Sequence, residues 1–114
     1  FFSIILFKSM KQLILVIAFT SLILAQEMIQ PKPLESIIPI YPKEAMEKDI
    51  EGTVILKCFI DKTGNVTDIE ILKGVPSLND SAKEAVQNVK FSPAKKGNKT
   101  FSSSIVIPIK YKLN

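Results

Sequence analysis

The stretch Gly52-Thr-Val-Ile-Leu-Lys-Cys-Phe-Ile-Asp-Lys-Thr-Gly-Asn-Val66 decides the fold. Val54, Leu56, Cys58 and Ile60 alternate with Ile55, Lys57, Phe59 and Asp61, the period-two pattern of a strand with one strongly apolar face. Asp61-Lys-Thr-Gly64 then supplies turn chemistry, with a glycine free to take positive φ, and Val66 to Lys73 resumes an extended, β-branched run. A hairpin is predicted. It needs a partner layer, because a two-stranded ribbon is marginal alone.

That layer lies on both sides in sequence. Upstream, Tyr41-Pro42-Lys-Glu-Ala-Met-Glu-Lys48 places Pro near a helix start with acidic residues close behind, which predicts a brief helix ending before Gly52. Tyr41, Ala45 and Met46 would give it a narrow apolar stripe. Downstream, Gly74-Val-Pro76 breaks the second strand, and Ser77, Asn79 and Asp80 offer caps for a helix. Leu78, Ala82, Ala85, Val86 and Val89 recur at helical spacing and should cover the sheet. Pro93 prevents continuation, Phe91 can plug the layer between helix and sheet, and Lys95-Lys-Gly-Asn98 reads as a turn.

The last run, Ser104 to Leu113, alternates again. Ile105, Ile107, Ile109, Tyr111 and Leu113 share one face; Val106, Pro108, Lys110 and Lys112 share the other. Pro108 has no N–H for a ladder, so this strand belongs at an edge. Antiparallel pairing with the first strand gives the order 2-1-3. The fold class expected is α+β: a two-layer sandwich, a three-stranded antiparallel sheet covered by one main helix, plus a short N-terminal helix. Its open edge is either protected against aggregation or used to receive another chain's strand.

The 114 residues, 46% of them hydrophobic, suffice for one small domain and a short targeting segment. All fifteen cationic residues are Lys, so the bidentate forks used on phosphate and guanine edges are missing and nucleic acid is not expected. After Glu84 no acidic residue occurs, while Lys90, Lys95, Lys96, Lys99, Lys110 and Lys112 do; that field either attracts an acidic partner or keeps the domain soluble. Histidine is absent, which removes the commonest general base and metal ligand. Glu44 with Glu47 and Asp68 with Glu70 read as surface charge. No enzyme, metal or cofactor is expected. Cys58, the single cysteine, lies on the apolar side of the first strand and reads as a small buried hydrophobe.

Met10-Lys11-Gln12, the apolar Leu13 to Leu24 and the small Ala25 form the profile of a signal peptide or short membrane anchor over residues 1–25, with Met10 as the natural start. Residues 26–40, with Pro31, Pro33 and Pro39, should be an extended lead-in, and 41–114 the folded domain.

Tyr41-Pro42 with Ala45, Ile50-Glu51-Gly52-Thr53-Val54, Ile60-Asp61 with Gly64 and Val66, Leu78 to Ala85, Lys90-Phe91-Ser92-Pro93-Ala94, Gly97, and Ile107-Pro108-Ile109 before Tyr111 and Leu113 together resemble the TonB C-terminal domain family. The resemblance covers Tyr41 to Leu113. It implies a periplasmic α+β domain that binds the TonB box, a short extended segment of an outer-membrane TonB-dependent transporter, by strand addition in energy-coupled transport. The positions it implies are Ser102, Ser103, Ser104, Ile105, Val106, Ile107, Pro108, Ile109, Lys110, Tyr111, Lys112 and Leu113, plus Ile40 and Tyr41.

Energy-coupling members of that family carry a membrane helix with a functional histidine and a long Pro-rich spacer. Here the fifteen residues from Gln26 to Ile40 extend at most ~50 Å, which argues against direct coupling to an ExbB/ExbD-type inner-membrane complex. The expectation is an exported periplasmic domain, free or held at the inner membrane. The alternative is an envelope scaffold or assembly domain, similar to TolA-type periplasmic domains, that pairs with itself as a homodimer or with another protein at the same edge.

Overall fold

The computed structural model describes residues 27–114; the segment read as a signal peptide or anchor, residues 1–25, lies outside the described residues. Among the described residues ten elements follow one another: β1 (Met28–Ile29), β2 (Lys32–Pro33), α1 (Lys43–Glu47), β3 (Gly52–Ile60), β4 (Val66–Lys73), α2 (Asn79–Gln87), β5 (Phe91–Ser92), β6 (Ala94–Lys96), β7 (Lys99–Phe101) and β8 (Ser103–Tyr111).

The main sheet has the order β4-β3-β8, antiparallel throughout, which is the predicted 2-1-3 arrangement. β3 alternates strictly: Val54, Leu56, Cys58 and Ile60 are buried, while the residues between them are half-buried on the other face. α2 lies across β3 and β4. Leu78, Ala82, Val86 and Val89 meet the strand residues in one apolar cluster that Phe91 and Ala45 complete. No charged side chain is buried among the described residues, so the layer is held by apolar burial, roughly 1.5–3 kcal/mol for each large side chain.

The β3–β4 turn is tied down locally. Asp61 Oδ1 accepts from the Thr63 N–H and hydroxyl and from the Asn65 N–H, at 2.9, 2.6 and 2.9 Å. These bonds, the Thr63 side chain's first, hold its carboxyl below the usual carboxylate range. Gly64 has φ +91, and a Cβ there would lie 1.9 Å from the Phe91 carbonyl oxygen. Its own carbonyl accepts the Phe91 N–H at 2.9 Å, so this turn carries β5 on its back.

Several expectations need correction. The lead-in is extended, but it is paired: β1 lies against β6, β2 against β5, and Pro31 between them is buried. Residues 95–98 are not all turn. Lys95 and Lys96 lie in β6, which pairs with β7 across the two-residue loop Gly97-Asn98, where Gly97 takes φ +62. Pairs this short carry no periodicity, so nothing in the sequence pattern marks them. Ser77, Asn79 and Asp80 do not cap α2. Leu78 holds the N-cap position without a side-chain bond, and Asn79 Oδ1 instead accepts the Val75 N–H at 2.8 Å. Met46 stands 47% exposed, so only Ala45 of the α1 stripe is buried.

Burial pushes the Cys58 thiol up to about 11, so it stays protonated and unreactive at neutral pH. In native protein Cys58 should react with a disulfide reagent far more slowly than after denaturation. Leu56→Ala should lower unfolding free energy by about 2–5 kcal/mol in urea titrations.

Candidate functional site

The sheet has two outer edges, and they differ. β4 meets β3 with register shifts at Ile55/Leu56 and Phe59/Ile60, and it carries Thr67, Asp68, Glu70 and Lys73 as exposed residues. Bulges and charge are the usual devices that blunt an edge. β8 is different. It pairs with β3 in unbroken register from Ser103↔Ile60 to Tyr111↔Gly52, and no strand covers its other flank among the described residues.

Along β8 the alternation predicted from sequence is realised. Ile109 and Tyr111 are buried, and Ile105 and Ile107 are half-buried against the core cluster. Val106, Pro108 and Lys110 are exposed. Pro108 sits opposite Ile55. Ser102 is an exposed linker between β7 and β8, and Ser104 is half-buried. The Ser103 hydroxyl is enclosed with no hydrogen-bond partner. Beyond β8, Lys112 is exposed, and the Leu113 N–H is already given to Glu51 Oε1 at 2.9 Å.

The remaining two predicted residues are brought to one end of this strand. The Tyr41 and Tyr111 rings meet edge to face, 5.4 Å between centroids at 90°. Tyr41 is held by the end of α1, which stops in a glycine-free Schellman turn. The Ile50 N–H returns to the Ala45 carbonyl at 2.8 Å and the Asp49 N–H to that of Met46 at 3.2 Å, with Asp49 at φ +53. The Tyr41 hydroxyl donates to the Ile50 carbonyl, closing that loop on the ring. Opposite, the Tyr111 hydroxyl donates to Ser81 Oγ at 2.9 Å, and Ser81 donates in turn to the Ile40 carbonyl. A relay thus runs from β8 through α2 to the chain before Tyr41.

Sequence reasoning missed Ser81, whose role depends on a contact 41 residues away in the chain. It also missed Ile38, which stands 75% exposed beside Ile40 at 80%. The signal for it was present: apolar side chains spaced by Pro39 in an extended segment, with no helical or strand partner to bury them. Glu51, Gly52, Thr53, Lys110, Tyr111 and Lys112 line a shallow open depression at this end of β8. Among the described residues no His, Cys, Asp and Glu come together as a metal cluster.

Burial, and secondly the charges of Glu51 and Asp49, raise the Tyr41 phenol; burial raises that of Tyr111 against the pull of the Ser81 bond. Both hydroxyls therefore remain donors at neutral pH.

Comparison with known proteins places the chain in one family. The profile described as "Gram-negative bacterial TonB protein C-terminal" matches residues 38–113. Protein tonB2 of Pseudomonas aeruginosa is 36% identical over 83 residues, which cover 71% of this chain and 31% of that protein. Protein TonB of Vibrio cholerae is 38% identical over 77 residues, covering 66% and 32%. The chain thus spans about a third of the length of these curated relatives. The solution NMR structure of the Pseudomonas aeruginosa TonB CTD superposes with a TM-score of 0.61 at 28% identity, over 74% of this chain and 87% of that one.

Tyr111→Phe removes one bond of the relay and should cost about 0.5–1.5 kcal/mol in chemical denaturation. A phenol whose native value is raised contributes stability that is full below its unfolded value, about 10, and is lost as pH rises through the native value. Unfolding free energy should therefore fall on the alkaline side, and Tyr41→Phe with Tyr111→Phe should flatten that fall.

Proposed function

Because the chain belongs to the Gram-negative bacterial TonB C-terminal family, which is not a family of enzymes, we propose that it is a periplasmic protein-binding module. It receives an extended segment, the TonB box of an outer-membrane TonB-dependent transporter, as a fourth strand beside β8, in energy-coupled transport. The observation that carries this is the contrast between edges: β4 is bulged, whereas β8 is long, regular and, among the described residues, uncovered.

Strand addition is main-chain chemistry, so the directions of the β8 backbone groups matter more than its side chains. Pro108 has no N–H, and the ladder to β3 stays intact only where its nitrogen faces away from β3. In an antiparallel strand, alternate residues point their N–H and C=O to the same flank. Ser104, Val106 and Lys110 therefore turn their main-chain groups outward with Pro108. A visiting strand meets donors on Ser104, Val106 and Lys110, a gap at Pro108, and carbonyls on all four. The Tyr41–Tyr111 contact fixes one end of this track, where Ile40 and Ile38 offer exposed apolar side chains to the visitor. Lys110 and Lys112 add positive charge there, suited to an acidic residue in the arriving peptide.

The same track would accept β8 of a second copy. Sedimentation across a concentration range separates the two: self-pairing gives mass that grows with concentration, while peptide capture leaves a monomer.

Titration with TonB-box peptides should shift the amides of Ser102 to Leu113, together with Ile40 and Tyr41; unmoved amides there would count against strand addition at this edge. Val106→Pro deletes one outward N–H and leaves the β3 ladder whole. It should weaken peptide binding by roughly two- to tenfold, the worth of one main-chain hydrogen bond, while thermal stability changes little. A larger loss of stability than of affinity would refute the assigned backbone directions.

A further inference from the structure

β8 has what a self-pairing strand needs except at one position. Its nine residues, Ser103–Tyr111, lie in unbroken register with β3. Ile105, Val106, Ile107 and Ile109 are β-branched, and Val106 stands 55% exposed. A regular, apolar edge of this length is a template for joining two copies into one continuous sheet. β4 is blunted by bulges in its pairing with β3; the pairing of β8 has none.

Charge does not close the β8 edge either. Two copies related by a two-fold axis through the sheet meet antiparallel, each contributing the same residues. Ser104, Val106, Pro108 and Lys110 turn their main-chain groups outward, so the register with most pairs sets Ser104 against Lys110 and Val106 against Pro108. Each Lys110 then faces a serine and never its own twin, and the penalty for opposed like charges does not arise.

Pro108 is what remains. Its nitrogen faces away from β3, and Cδ of its ring stands where an outward N–H would be. A neighbouring carbonyl at the ordinary ~2.9 Å from that nitrogen would overlap the ring. In a two-fold pair the collision occurs twice, once at each Pro108. Registers that keep both prolines out of the ladder leave within β8 only Ser104 paired with Val106, too short an overlap to hold two domains together. The β8 of a second copy cannot bend around the ring, because its other flank is fixed by nine pairings with its own β3 and its Ile109 and Tyr111 are buried. A free peptide has no such ties, and a one-residue bulge carries it past the obstacle.

We propose that Pro108 is the specificity-determining residue of this edge: it bars the β8 of a second copy and admits an extended segment that is free to bulge around its ring. The proposal rests on the reading of β8 as a peptide track and adds which visitors that track refuses.

The test compares wild type with P108A by sedimentation equilibrium of the 114-residue chain, read as the difference between the two so that association elsewhere in the chain cancels. The substitution removes two collisions from a pair of copies and one from a peptide complex. With each main-chain bond worth roughly two- to tenfold, the dimer constant should tighten by roughly 4- to 100-fold and the TonB-box peptide constant by no more than roughly tenfold. Isotope-filtered NOEs should place the new contact at β8, with Ile107 against Ile107 of the other copy. The double variant V106P with P108A moves the block two residues along and should return association to the wild-type level; P108V repeats the comparison if alanine unsettles the strand. A dimer constant unchanged in P108A and P108V, new contacts that lie off β8, or association of P108A that survives V106P would each overturn the proposal. Wild type that binds no peptide would instead sink the peptide-track reading, and the self-association result would still be read.

Discussion

The structure depends on β3 being saturated. This strand gives one face to the core through Val54, Leu56, Cys58 and Ile60, and it gives both of its flanks to partners, β4 on one side and β8 on the other. A strand used on both flanks passes its neighbours the problem of an open edge. β4 answers with bulges and charges. β8 has no bulge, because its inward residues Ile109 and Tyr111 are needed in the core and its register with β3 is unbroken; it carries Pro108 and Lys110 on its exposed face instead. The available edge is thus a consequence of how the core is filled.

The aromatic contact between Tyr41 and Tyr111 links that edge to the rest of the fold. It joins the stop of α1 to the last residue of β8, and through Ser81 it reaches α2 as well. Three elements that come from distant parts of the chain therefore share one small cluster of bonds. A displacement of β8 at this end is passed to the exposed segment around Ile40, since the Ile40 carbonyl is bonded to the same serine.

Much of this was legible before any coordinates. Period-two alternation marked β3, β4 and β8, and helical spacing marked α2, because each of these elements is long enough to complete several repeats. Pro108 identified the edge. The pieces that were not legible are those whose existence depends on a partner far away in sequence. β1 and β2 are two-residue segments that become strands only because Lys95, Lys96, Phe91 and Ser92 lie opposite them. Asn79 reads as a cap from its type and position, yet its side chain serves the loop before the helix. Tyr41 and Tyr111 could each be singled out, but their contact spans 70 residues and follows from the closure of the sheet.

The pairing of the lead-in also has a mechanical side. Met28–Ile29 and Lys32–Pro33 are held by two-residue ladders, while β3 and β8 share nine paired positions. A pull on the chain from its N-terminal side, resisted by a partner gripping β8, loads the short ladders first. Their release turns about ten docked residues into a tether of at most ~35 Å of contour before any tension reaches β3, and since the segment is already extended while docked the gain is freedom of direction more than of reach.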